Sequence, residues 1–145
     1  MKRLYETEAI PFPPNTHCYT AVINCCAFCL NDSAEKREAL RIALETYKEL
    51  ERTPDYGKAN HVTFATMIGA LSNLLPPSSE RTAAIETIFN RAKECGQVDH
   101  MIIRRVQTSL TPAEMKKVCP GVKMSQDGLS NIPSDWQRNM RRNHN

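Results

Sequence analysis

The sequence predicts an all-α fold, an α-α superhelix (solenoid) of about two and a half helical hairpin repeats. Three observations carry this reading. PNTHCYTAVINCC, residues 14–26, is written again in outline as ANHVTFATMIGAL, residues 59–71: Asn15 falls on Asn60, Tyr19 on Phe64, Val22 on Met67, Ile23 on Ile68 and Cys26 on Leu71, a spacing of 45. Within each copy the apolar positions recur at i, i+3, i+4 and i+7, which is one stripe of an α-helix. No segment alternates apolar and polar residues long enough to compete as a strand.

Residues 1–13 form an N-terminal extension. Asn15 or Thr16 stands where an N-cap satisfies the first orphan amides of the first helix, and Asn60 does so in the second copy. A second helix follows each copy. In the first, Asp32 with Glu35 suits a capping box, Leu40, Ala43, Leu44, Tyr47 and Leu50 make the stripe, and Pro54 and Gly57 close it. In the second, Pro76-Pro77 and Ser78 or Ser79 open the helix, Ala84, Ile85, Ile88, Phe89 and Ala92 line it, and Gly96 stops it. HMIIRRVQTSL, residues 100–110, begins a third and shorter unit, and Thr111, Pro112 and Glu114 mark one more helix start. The helical repeat domain thus spans residues 14–118, with repeats at about 16–60 and 61–99 and a partial one at 100–118. Residues 119–145 read as an irregular basic tail, punctuated by Pro120-Gly121, Asp127-Gly128 and Pro133. Its Trp136 either docks back onto the last helices or awaits a partner.

A chain of 145 residues, 41% apolar and 24% charged, fits one globular domain. No apolar run is long enough for a membrane span, and residues 1–15 show neither an apolar signal core nor a transit composition. Net charge is +3 and unevenly placed: residues 1–90 carry 9 Lys/Arg against 11 Asp/Glu, residues 91–145 carry 10 against 5. The basic end, with Arg104-Arg105, Lys116-Lys117 and Arg141-Arg142, is either a solvated surface or an attraction for phosphate. Cys25, Cys26 and Cys29 form half of a zinc-type pattern whose other half is missing, so the cysteines read as core side chains and no metal or other cofactor is expected.

The doubled segments resemble the opening helix of a pentatricopeptide repeat, whose pattern is Pro-Asp/Asn, two variable residues, Thr-Tyr, two more, then Leu-Ile. The second helices are similar to that repeat's Ala…Phe…Met…Gly half, and IPSDWQRNM resembles a Pro-x-x-Trp closing segment of some algal proteins. The copies run to 45 and 39 residues against a norm of about 35, with Cys18 where Thr is usual and Ala59 where Pro is. The resemblance implies single-stranded RNA along the concave face, about one base per repeat. It places base-facing side chains at Thr20 and Asn60 with His17 packing between bases, and in the second repeat at Ala65 and Asp99 with Val62; the Thr20 and Asn60 pairing implies adenine. It also implies a mitochondrion or plastid and work in organellar RNA processing, stability or translation. Independently of the resemblance, His17, Thr20 and Asn24 lie at i, i+3 and i+7 on a polar stripe, which serves either a ligand or solvent. The alternative is a protein-binding helical scaffold of tetratricopeptide-like type. Scattered histidines and the absence of a Gly-rich phosphate loop argue against an enzyme, and only two complete repeats argue that the chain is a fragment of a longer array or self-associates.

Overall fold

The computed structural model describes residues 1–122 and 131–140. It holds α1 (Lys2–Glu6), α2 (Thr16–Ala27), α3 (Ser33–Arg52), α4 (His61–Leu74), α5 (Ser79–Glu94), α6 (His100–Ser109) and α7 (Pro112–Val118), with 3-10 turns at Pro54–Tyr56 and Ser134–Gln137. No strand occurs among the described residues. The Asp127-Gly128 turn and the Arg141-Arg142 pair lie outside them.

Side-chain caps set the helix starts. The oxygens of Asn15, Asn60 and Asp99 accept from the amides of Cys18, Thr63 and Ile102 at 3.1, 3.1 and 2.9 Å, so α2, α4 and α6 begin on equivalent residues. Asp32 and Ser78 cap α3 and α5 in the same way. At α7 the expected capping box forms between Thr111 and Glu114, and Glu114 also accepts from the Thr82 hydroxyl at 2.6 Å, which ties α7 to α5.

Those bonds from Thr82 and Thr111 hold the Glu114 carboxyl below the ordinary glutamate value. A depressed folded pKa contributes stability that is present above the unfolded value and lost as pH falls through the folded one. Glu114→Ala should therefore be less stable than wild type at neutral pH, with the gap closing as the pH falls below the usual glutamate range; urea melts at stepped pH measure it.

The packing order is built around α4. Helix α2 packs on α3 and α4, α4 packs on α5 and α6, and α3 also touches α4. Accordingly α4 is apolar nearly all round, burying Phe64, Met67, Ile68, Ala70, Leu71 and Leu74, as a central helix must. Tyr19, Ile23, Ala43, Leu50, Ile85, Phe89, Ile102 and Val106 complete the core from the neighbouring helices. Asn73 Nδ2 donates to the Ala27 carbonyl at 3.0 Å, pinning the end of α2 to α4. Where the α3–α4 connection crosses the start of α2, Gly57 has φ 134°, and a β-carbon there would stand 2.2 Å from Thr16 Oγ1.

One expectation changes. The cysteines are not all core side chains: Cys26 and Cys119 are buried, Cys29 and Cys95 half-buried, and Cys18 and Cys25 exposed, because α2 turns Tyr19, Ile23, Cys26 and Ala27 inward and leaves its Cys18–Val22–Cys25 side uncovered. Within the N-terminal extension, α1 docks on α3 through the Lys2 amide to Glu49 Oε1 at 3.0 Å, and Tyr5 meets Tyr56 edge-on. Trp136 docks back onto the helices, specifically α5. Its ring meets Phe89 edge-to-face at 5.7 Å, Lys93 Nζ lies over both rings, and its carbonyl accepts from Val98 N at 2.8 Å. No helix among the described residues is long and apolar enough to cross a membrane.

Candidate nucleic-acid interface

Because α2, α4 and α6 start on equivalent caps, their residues can be compared by distance from the cap. The second, sixth and ninth positions are His17, Ala21 and Asn24 on α2, Val62, Thr66 and Gly69 on α4, and Met101, Arg105 and Thr108 on α6. This spacing puts each trio on one side of its helix.

Between α2 and α4 these residues line a groove of about 650 Å³. Its walls are His17, Ala21 and Asn24 on one side and Val62 and Thr66 on the other, with Tyr56, Gly57 and Asn60 from the connection. No side chain that lines it is a lysine, arginine, aspartate or glutamate. Val62 is 41% exposed, an apolar side chain left in water at the mouth of a polar groove. Positive charge arrives from α6: a methyl group on Gly69 would stand 3.6 Å from Arg105 Nη1, so the guanidinium lies over the bare backbone of α4, and Arg104 beside it is exposed.

The floor is a chain of hydrogen bonds. Thr20 Oγ1 donates to the Thr16 carbonyl at 2.8 Å and meets Thr63 Oγ1 across the two helices at 2.9 Å, while the Thr63 hydroxyl also lies 3.2 Å from Asn60 Oδ1, a second acceptor for its proton. The Thr63 hydroxyl also accepts from Asn60 N at 3.3 Å, closing a capping box, and Thr16 Oγ1 reaches the Lys58 carbonyl at 2.9 Å. Buried polar groups persist where they are paired in this way.

Of the six residues expected to touch RNA, His17, Thr20, Asn60 and Val62 meet in this one groove, while Ala65 and Asp99 do not line it. Ala65 is 3% exposed, and it lies on the fifth position after its cap, which α4 turns toward its neighbours. Asp99 is 7% exposed and its carboxylate is engaged as the cap of α6. Thr20 is in the right place but 9% exposed, with its proton committed to Thr16. Asn60 has its side-chain oxygen committed to the cap; its Nδ2 donor has no partner among the described residues and is what it offers the groove. Sequence reasoning missed Thr66, Tyr56 and Arg105. Counting from the caps exposes Thr66 and Arg105, because both occupy the sixth position of their helices; nothing local points to Tyr56.

A second hollow of about 520 Å³ lies between the ends of α3 and α5, but its guanidinium, Arg91, is already held by Glu51 at 2.9 Å and Glu94 at 3.2 Å. Burial pushes the thiols of Cys26, Cys95 and Cys119 above their ordinary pKa, which keeps them protonated and weakly nucleophilic. No group of three or more potential metal ligands converges among the described residues.

Comparison with protein-family models, with curated proteins and with solved structures finds no match to this chain.

Proposed function

We propose that this chain is a non-catalytic module that binds single-stranded RNA across α2, α4 and α6, built as a short superhelix of pentatricopeptide-like hairpins and serving organellar RNA processing, stability or translation. The observation that carries the reading is the cap-counted row of His17 and Asn24, Val62 and Thr66, then Arg105, set on three successive helices. Its chemistry suits unstacked bases. An imidazole and an exposed aliphatic side chain offer surfaces for packing, Asn24, Asn60 and Thr66 offer polar atoms to base edges, and Arg104 and Arg105 offer phosphate contacts. Asn60 Nδ2 is a donor, so it favours an acceptor on the base edge; the adenine preference implied by the resemblance needs Asn60 to accept as well, and that oxygen already faces both the amide and the hydroxyl of Thr63, at 3.1 and 3.2 Å.

A peptide-binding scaffold of tetratricopeptide type is the second reading, favoured by the uncharged lining of the groove. Salt separates the two. A labelled homopolymer panel titrated at stepped salt should bind with a log–log slope of about −1.4, at roughly −0.7 per phosphate for contacts from Arg104 and Arg105. Absence of RNA binding at low salt sinks the RNA reading and leaves the scaffold.

A further inference from the structure

The same helix–helix contact occurs twice in this chain, and one side of it stands open on α2. Counted from the caps, the third, seventh and tenth positions of α4 are Thr63, Met67 and Ala70, and those of α6 are Ile102, Val106 and Ser109. All six are buried, none more than 6% exposed. The α4 trio faces α2, as the Thr63–Thr20 bond and the Asn73–Ala27 bond fix, and α6 takes the corresponding place on α4. On α2 the equivalent trio is Cys18, Val22 and Cys25. There Cys18 and Cys25 are exposed and Val22 is half-buried, with half-buried Cys29 continuing the row.

We propose that a second copy of this chain covers this row, α2 lying against α2 about a two-fold axis. The covering element is a helix, since a helix covers the equivalent row on α4 and on α6. The pairing closes on itself because the other open side of the stack does not match. On α6 the fifth and eighth positions are Arg104, exposed, and Gln107, where α4 has Ala65 and Ile68 buried, so head-to-tail stacking would press a guanidinium onto an apolar row. Helix α2 carries no lysine, arginine, aspartate or glutamate from Thr16 to Ala27, so two copies meet without like-charge repulsion, and cysteine and valine side chains allow close approach. With the axis beside Val22, antiparallel pairing sets Cys18 of one copy opposite Cys25 of the other. A single helix pair is a small interface, so the dimer depends on concentration.

The test is sedimentation of the full chain in reductant over a wide concentration range, with thiol cross-linking by a short bis-maleimide. Wild type should rise to twice the chain mass. Val22→Arg should stay monomeric with an unchanged far-UV spectrum, and Thr108→Arg, exposed on α6 at the other end of the stack, should dimerise as wild type does. Should Val22→Arg fail to fold, Cys25→Glu at an exposed position gives the same reading. Cross-linked dimer should vanish in Cys18→Ser and Cys25→Ser and persist in Cys95→Ser. Wild type that remains monomeric throughout, a dimer indifferent to Val22→Arg and Cys25→Glu, or cross-linking that needs Cys95 overturns the proposal. No RNA enters these measurements, so their outcome is independent of the RNA reading.

Discussion

Val62→Glu should weaken binding of single-stranded RNA ten- to hundredfold while leaving the fold intact. The side chain is 41% exposed on the groove, so the substitution removes little from the core. A carboxylate at the second position of α4 is also well placed against the positive end of the helix, which makes a stability loss still less expected. Its effect on RNA is electrostatic. A new negative charge about 6 Å from a phosphate, at an effective dielectric constant of about 20 to 40, costs roughly 1.4 to 2.8 kcal/mol. Fluorescence anisotropy at low salt measures the change, and circular dichroism melting of the same sample checks the fold. If the variant melts like wild type and binds RNA equally well, the groove is not where the strand lies.

Phe64→Ala should have the largest effect on stability. Phe64 is fully buried in the first turn of α4, in edge contact with Tyr47 of α3 at 6.4 Å between ring centres, so one deletion removes packing between two helices. Removal of a buried phenyl group costs about 3 to 5 kcal/mol. A domain whose whole stability is about 5 to 15 kcal/mol loses a large part of it. At about 3 to 4 °C per kcal/mol for this chain length, the melting temperature should drop by roughly 10 to 20 °C. Thermal denaturation followed at 222 nm decides it, and a shift of only a few degrees would mean that α4 is not the centre of the core.

The helices were legible because caps and stripes are local. Asn60, Ser78 and the Thr111–Glu114 box each stand at a start that the structure keeps. What local pattern cannot say is which of two similar sides of a helix meets a neighbour. On α2 the Cys18–Val22–Cys25–Cys29 side repeats with the same period as the buried Tyr19–Ile23–Cys26 side, and only the positions of α3 and α4 distinguish them. The site shows the same limit. His17 is placed by its helical phase as well as by the resemblance, and Val62 by the resemblance alone. The state of Thr20 depends on Thr63, 43 residues away, and the use of Asn60 as a cap leaves it one free donor instead of a donor and an acceptor. Arg105 became visible only once the caps of α2, α4 and α6 were known to be equivalent, and its lie over Gly69 is a tertiary fact.

The most direct measurement is ultraviolet cross-linking of the full chain to a 4-thiouridine-substituted single strand, with the attached residues located by mass spectrometry. The α2–α4–α6 row predicts adducts in the peptides that hold His17, Tyr56, Val62 and Arg105, and their loss when unlabelled RNA competes. Adducts confined to the faces of α3 and α5 turned away from the row, or none above background at low salt, would contradict RNA binding at this face.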